Sequence, residues 1–103
     1  MRGLLTPATA TAGPLVGFEP SRPYELHPQV AIRPEPFGAL AYHYGNRRLT
    51  FVRDATLLGL LRGLGGHASV ADALDAADVA PERRASFLRA LGSLAESEVI
   101  RAR

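Results

Sequence analysis

The feature that most constrains this chain is a change in the spacing of its apolar residues near residue 53. Before that point, apolar and polar residues alternate, as in half-buried β-strands, over residues 29–33, 39–44 and 49–52. After it, apolar residues recur every three or four positions, as on one face of an amphipathic helix. Strands followed by helices are typical of an α+β domain. We therefore predict a three-stranded antiparallel sheet followed by three helices.

The second and third strands are predicted to form a hairpin around Gly45-Asn46, a pair suited to the positive φ angles of a tight turn. In that register Tyr42 opposes Leu49 and Leu40 opposes Phe51, so apolar partners share one face. His43 falls on the opposite face, where we expect a solvated side chain. The aromatic residues of the sheet are interpreted as core, namely Phe37, Tyr42, Tyr44 and Phe51.

Three helix starts are marked by residues suited to helix N-termini. Asp54 is a predicted N-cap for a helix that ends at Gly65-Gly66, and Ser69 resembles the first residue of a capping box. Pro81 suits the first turn of a third helix, which ends around residues 96–98. A short extension at residues 99–100 follows.

Length and composition favour a single domain preceded by a tail. With 103 residues the chain can bury one core, and residues 1–23 show no sustained period and contain prolines at 7, 14, 20 and 23. We predict a flexible tail over 1–23 and one domain over 24–103. The chain has no cysteine, which excludes disulfides and cysteine-held metal clusters. Its apolar runs are too short to span a bilayer, so we expect a cytoplasmic protein without membrane contact.

The two outer strands of the predicted sheet differ in their prolines. The first strand is bracketed by Pro28, Pro34 and Pro36, which remove hydrogen-bond donors and protect that edge from further pairing. The third strand, residues 49–52, contains no proline, so its outer edge could accept an extended peptide as an added strand. The alternative is that this edge is merely short, or covered by the third helix.

Other functions find less support in the residues. Three helices after strands also suggest a winged-helix DNA-binding protein with residues 81–94 as recognition helix, but a net charge of +2 and an acidic second helix argue against nucleic-acid binding. His27, His43 and His67 lack ligand spacing and companion carboxylates, so no metal is expected. No nucleophile motif or phosphate-binding loop is present, and neither catalytic residues nor a cofactor are expected.

The segment from Leu26 to Leu40, LHPQVAIRPEPFGAL, continuing through Tyr42-His43-Tyr44-Gly45, resembles the peptide chaperones of mycofactocin biosynthesis. That family belongs to the precursor-peptide recognition elements and is similar to the small chaperone of pyrroloquinoline quinone synthesis. The resemblance implies a winged-helix-like, non-catalytic adaptor. Such a protein binds a ribosomally made precursor peptide and presents it to a radical S-adenosylmethionine maturase, which holds the iron–sulfur clusters and modifies the peptide's C-terminal Val-Tyr pair.

The resemblance also implies where the peptide binds. Members of the class add the peptide as a strand beside the third strand, in a groove walled by the third helix. Here this mode falls on Arg48, Leu49, Thr50, Phe51 and Val52 of the strand. On the helix, the spacing i, i+4, i+7 and i+11 selects Arg84, Leu88, Leu91 and Ala95 as the groove wall. Arg33 and Glu35 are expected to contact the maturase, or else to form a rigid turn.

Overall fold

The computed structural model describes residues 5–7 and 18–103, and these form an α+β architecture. The strands are β1 (Leu5–Pro7), β2 (Tyr24–Leu26), β3 (Val30–Glu35), β4 (Gly38–His43), β5 (Leu49–Val52) and β6 (Ile100–Ala102). The helices are α1 (Ala55–Gly63), α2 (Val70–Ala76) and α3 (Pro81–Glu96), with a 3₁₀ turn at Leu64–Gly66. The predicted antiparallel meander is present as β3, β4 and β5, and the three predicted helices follow it. The sheet order is β1-β5-β4-β3, while β2 and β6 pair separately.

The hairpin between β4 and β5 has the predicted register. Leu40 lies opposite Phe51 and Tyr42 lies opposite Leu49. The turn is closed by the His43 N–H, which donates to the Arg48 carbonyl at 3.0 Å. Its positive φ angle, 63°, occurs at Arg47. The expectation of positive φ at Gly45-Asn46 is therefore wrong.

The buried face of this sheet is the opposite of the one predicted. Ala39, Ala41 and Val52 are fully buried, and His43 and Thr50 are at most 3% exposed. The larger side chains of Leu40, Tyr42 and Phe51 consequently lie on the outer face, and Phe37 and Tyr44 are 54% and 60% exposed. Alternation separates two faces without saying which one meets the helices. Small alanines allow α1 to pack closely on β4 and β5, and the aromatic residues are left outside.

The helices begin where their capping residues predict. The Asp54 carboxylate accepts the Leu57 N–H at 3.0 Å, and the Ser69 hydroxyl accepts the Asp72 N–H at 3.0 Å. Pro81 is the first residue of α3. Apolar stripes from all three helices fill one core. Its largest fully buried side chains are Phe87, Leu57, Leu61, Leu64, Leu74, Leu91, Leu94, Ile100, Val52, Val70 and Val99.

The folded part of the chain includes residues assigned to the predicted tail. The Phe18 ring lies 5.2 Å from that of Tyr24, and the carbonyls of Pro20 and Arg22 accept the N–H groups of Ala71 and Val70 at the start of α2. For residues 18–23 the boundary predicted at residue 24 is too late. Residues 1–4 and 8–17 of the predicted tail lie outside the described residues. In the described part of the chain, no helix combines the length and apolarity that crossing a membrane requires.

Candidate functional site

The backbone of β5 has two edges, and only one of them is used by the meander. Backbone groups of successive residues in an antiparallel strand point to opposite sides. The bond from His43 N–H to the Arg48 carbonyl shows that Arg48 faces β4, so Thr50 and Val52 also face β4. Leu49 and Phe51 therefore direct their N–H and C=O groups to the outer edge.

That outer edge is occupied by the protein's own N-terminal segment. Strand β1 lies antiparallel to β5, with Thr6 opposite Phe51. Val52 and Thr50, which lie opposite Leu5 and Pro7, turn their backbone groups towards β4. Of the three described pairs, Thr6 and Phe51 are therefore the one that can exchange hydrogen bonds. The expectation that this edge is vacant is wrong. Within the described residues this cover consists of one bonded pair, and the strand ends at Pro7.

The opposite edge of the sheet, on β3, has few donors. The Val30 N–H points away from β4, because it donates to the His27 carbonyl at 2.9 Å. The period of two then places Ile32 and Pro34 on the same outward side. Proline has no N–H, so within the described residues only Ile32 offers an unused donor along this edge. The edge on β3 is therefore poor in donors, as its prolines indicated, whereas β5 is an inner strand of the four-stranded sheet.

The predicted binding residues of β5 fall into two groups. The side chains of Thr50 and Val52 are 3% and 0% exposed and belong to the core. Leu49 is 40% exposed, Phe51 is half-buried on the outer face, and Arg48 is exposed. A ligand at this edge can therefore contact the side chains of Arg48, Leu49 and Phe51, whereas Thr50 and Val52 hold the strand in place from below.

Helix α3 runs alongside β5 in the opposite direction. Near its start, Arg83 donates to the Asp54 carboxylate at 2.5 Å, just beyond the end of β5. Just past its end, the Ser97 carbonyl accepts from the Asn46 side chain at 3.1 Å, in the turn before β5. Partial burial raises the pKa of Asp54, but bonds from Arg83 and the Leu57 N–H outweigh it and hold that pKa below its ordinary value. Both ends of the helix are thus tied to the hairpin.

The predicted groove wall on α3 is not one continuous surface. Arg84 is paired with Asp75 of α2, and Leu91 is fully buried in the core. Leu88 is half-buried against the core. Ala95 borders a pocket of about 390 Å³ on the side of β2 and β6. Of the four residues, only Leu88 and Ala95 therefore present an unpaired and partly exposed side chain.

Arg33 and Glu35, the predicted contacts to the maturase, lie near the end of β3. Their side chains form an ion pair at 3.3 Å, in which the Arg33 side chain is 77% exposed. Arg33 lies opposite Leu40 and therefore projects on the outer face of the sheet. Its guanidinium is available to a further carboxylate because so little of it is buried.

The fold also brings together a cluster that sequence reasoning missed. The potential ligand atoms of His27, His43 and Glu98 lie within 4.8 Å of one another. His43 is 2% exposed, and its Nε2, 4.0 Å from a Glu98 carboxylate oxygen, has no hydrogen-bond partner among the described residues. The expectations of a solvated His43 and of histidines without a companion carboxylate are both wrong. No sequence spacing signals this cluster, because its members come from three separate segments.

The hydrogen bonds of this cluster do not suit a metal ion. His43 Nδ1 accepts the N–H groups of Gly45 and Asn46 at 2.9 and 3.1 Å, and His27 Nδ1 accepts the Gln29 N–H at 3.0 Å. A neutral ring that accepts at Nδ1 carries its proton on Nε2, the atom that would have to bind the metal. Metal-binding histidines show the reverse arrangement, donating from the second nitrogen. The cluster instead holds the turn before β5 in place.

Comparisons with known proteins agree on one family. The family model described as "Peptide chaperone MftB family" matches residues 23–101. The chain is 49% identical over 103 residues to a protein of Mycobacterium ulcerans named "Peptide chaperone MftB", covering 97% of this chain and 94% of that protein. Proteins of the same name from Mycolicibacterium smegmatis and Mycobacterium tuberculosis are 44% and 42% identical, covering 82% and 97% of this chain and 83% and 94% of their own. No solved structure matches, so the winged-helix-like description stays a prediction.

Proposed function

The chain belongs to the Peptide chaperone MftB family, and from that premise we propose that it binds a ribosomally made precursor peptide and presents it to a radical S-adenosylmethionine maturase in mycofactocin biosynthesis. The protein is a chaperone and not an enzyme. Its substrate is made by ribosomes, so the proposed role requires a cytoplasmic location.

One observation supports the outer edge of β5 as the peptide site: in the described part of the chain it is paired through a single residue of a three-residue strand. A guest strand in place of β1 would bond with the backbone of both Leu49 and Phe51, whereas the described residues of β1 bond with Phe51. Each net hydrogen bond contributes about 1 kcal/mol, so a guest strand gains affinity with each residue that it adds along this edge. Backbone pairing also tolerates variation in the guest sequence, while side chains beside it select among peptides.

The neighbouring side chains then supply selection. Arg48 offers an exposed guanidinium for a peptide carboxylate, and Leu49 and Phe51 offer apolar contact on the outer face. On α3, we propose Leu88 as the wall residue that a guest can contact, whereas Ala95 borders the pocket beside β2 and β6. Leu91 supports that wall from the core, and Arg84 could bind a guest carboxylate only by giving up Asp75. Arg33 and Glu35 are proposed to contact the maturase.

The proposal is tested by calorimetric titration of the full chain with a synthetic precursor peptide. We expect a one-to-one complex, weakened by Leu49→Pro, which removes an outward N–H, and much less by Leu49→Ala, which keeps it. Thr6→Pro should strengthen binding, because it removes the donor of the bonded pair between Thr6 and Phe51, and Ala10→Pro outside that pair is its control. No complex at a peptide concentration of about 100 µM would overturn the proposed function.

A further inference from the structure

The outer face of the four-stranded sheet exposes an unusual amount of apolar surface. Three large apolar side chains are well exposed, at 54% for Phe37, 60% for Tyr44 and 40% for Leu49. Between them lie half-buried Tyr42 and Phe51, together with Leu40. Two ring pairs stabilise the arrangement, Phe37 with Phe51 at 5.6 Å between centroids and Tyr42 with Tyr44 at 5.4 Å. We call these six side chains the aromatic face.

No described element packs on the aromatic face. The buried side chains of β4 and β5 all point to the other side, where α1 packs against both strands. Successive side chains of a strand point to opposite faces of the sheet. The helices that pack on one face therefore do not cover the aromatic face on the other. A contiguous exposed apolar patch of this kind marks an interaction site more often than it serves stability, because its transfer from water is favourable only when a partner covers it.

Arginines are concentrated in the strands and turns that carry the aromatic face. Residues 29–53 contain four arginines, namely Arg33, Arg47, Arg48 and Arg53, and one glutamate, a net charge of +3. Residues 54–103 contain six arginines and seven acidic residues, a net charge of −1. In the helical half, Arg83, Arg84 and Arg101 are paired with carboxylates, whereas within the described residues the only acidic partner bordering the face is Glu35, on Arg33.

Arg47, one of these four arginines, lies in the turn before β5 with a positive φ angle. Its φ of 63° lies in the left-handed region, where glycine and asparagine are favoured and an arginine is strained. The residue is exposed, so its side chain does not compensate by packing within the described part of the chain. Asp78 and Glu98 have similar φ angles of 58° and 67°, and the Arg47 N–H donates to the His43 carbonyl at 2.8 Å, so the angle belongs to the turn and Arg47 contributes an exposed charge.

We infer that the aromatic face docks onto a partner protein through an apolar surface bordered by carboxylates. This inference rests on the proposed function, under which the partner is the maturase. Tyrosine, phenylalanine and arginine are the residues enriched at the energetic centres of protein interfaces. A second copy of this chain fits poorly, because two such faces in contact would oppose their arginines.

The position of the aromatic face gives this docking a purpose. Both the aromatic face and the proposed peptide site include β5. The side chains of the face project perpendicular to the sheet, whereas the backbone groups that would pair with the peptide lie in its plane. Peptide and enzyme can therefore bind side by side, with Leu49 and Phe51 at the border between the guest strand and the enzyme contact. Holding both partners on one domain raises the local concentration of the peptide at the enzyme.

The test measures two affinities of the full chain by titration, one for the purified maturase and one for the precursor peptide. The variants are Phe37→Ala/Tyr44→Ala, which removes the two most exposed rings, and Arg33→Glu. Arg89→Glu, an exposed arginine on α3, is the control that changes net charge equally. We expect the first two variants to weaken maturase binding about tenfold or more, while Arg89→Glu and the peptide affinity change little.

Arg47→Gly provides a variant that cannot fail through loss of folding. Glycine relieves the positive φ, so the melting temperature should be unchanged or higher while maturase affinity falls. Maturase binding that is unaffected by all three face variants, or an absence of maturase binding by a wild-type chain that does bind peptide, would overturn the inference and leave peptide binding intact. Self-association of the wild type that is lost in Phe37→Ala/Tyr44→Ala would overturn it as well. Failure to bind either partner would refute the proposed function itself.

Discussion

Replacement of His43 tests whether a buried imidazole holds the turn that precedes β5. Its Nδ1 accepts the N–H groups of Gly45 at 2.9 Å and Asn46 at 3.1 Å, and the side chain is almost fully buried. In His43→Ala both amides lose their acceptor, and the space occupied by the ring is left unfilled. The substitution lies in the core layer beneath the sheet, so its effect should appear in global stability.

The expected loss can be worked out from these contacts. Two hydrogen bonds contribute about 1 kcal/mol each, and the lost packing of a small buried ring adds about 1 kcal/mol. The sum is about 3 kcal/mol, which lowers the melting temperature by about 12–24 °C in a domain of this size. His43→Asn places a carbonyl oxygen near the position of Nδ1, so it should recover about 2 kcal/mol of that loss. His43→Leu fills the space without an acceptor and should recover only the packing.

Urea unfolding followed by circular dichroism, with a thermal scan in parallel, measures the four proteins. The reasoning requires the order wild type, Asn, Leu and Ala, from most to least stable. A His43→Ala variant within about 1 kcal/mol of wild type would show that water replaces the acceptor freely. An asparagine variant no more stable than the alanine variant would show that the two amide bonds carry none of the effect.

Four further outcomes follow from the structure. Gly38→Ala should destabilise the domain by about 3 kcal/mol or more in urea unfolding, since φ is 146° and an added Cβ would lie 2.2 Å from the Val52 carbonyl oxygen; a near-neutral result would contradict this close approach. Leu91→Ala should lower the free energy of unfolding by about 3–4 kcal/mol, because Leu91 is in the core, and Phe51→Ala by only about 1 kcal/mol, because Phe51 lies on the outer face. Equal losses in the same assay would contradict that assignment. Partial burial, followed by the charges of His43 and Arg101, lowers the pKa of His27 from 6.5. As the pH drops, the unfolded chain therefore takes up a proton before the folded one, and stability should fall below a pH of about 6.5. The fall should be smaller in His27→Gln, and identical pH profiles of the two proteins would contradict this linkage. Zinc should leave the melting temperature unchanged, since both imidazoles of the cluster carry their Nε2 proton; a rise saturating at one equivalent would refute this protonation state.

Part of the fold was readable from the chain because local chemistry determines it. Asp54 and Ser69 mark the starts of two helices because each accepts the N–H of the residue three positions later. Pro81 marks the start of the third because a first-turn residue needs no N–H of its own. The hairpin register followed from matching apolar residues across a short turn, and the structure confirms it. The scarcity of donors along the β3 edge followed from the position of Pro34, because proline has no N–H in any conformation.

The candidate site was less predictable because it depends on distant segments. Leu5-Thr6 before Pro7 carries only a faint strand signal, and nothing local indicates that it pairs with residues 50–52. The pairing of β2 with β6 and the approach of Glu98 to His27 and His43 likewise join opposite ends of the domain. On α3, spacing alone placed Leu91 with Arg84 on one wall, although one is core and the other is paired with α2.

By itself, the sequence determined what short-range chemistry can specify: the order of strands and helices, the helix starts, the hairpin register and the proline-protected edge. Only the tertiary structure decided which face of the sheet is buried, what lies along β5 and which histidines meet. The physical reason is that a period of two defines two faces of equal regularity. The choice between them depends on how closely α1 can approach, and alanines at 39 and 41 allow that approach where tyrosine and leucine would not.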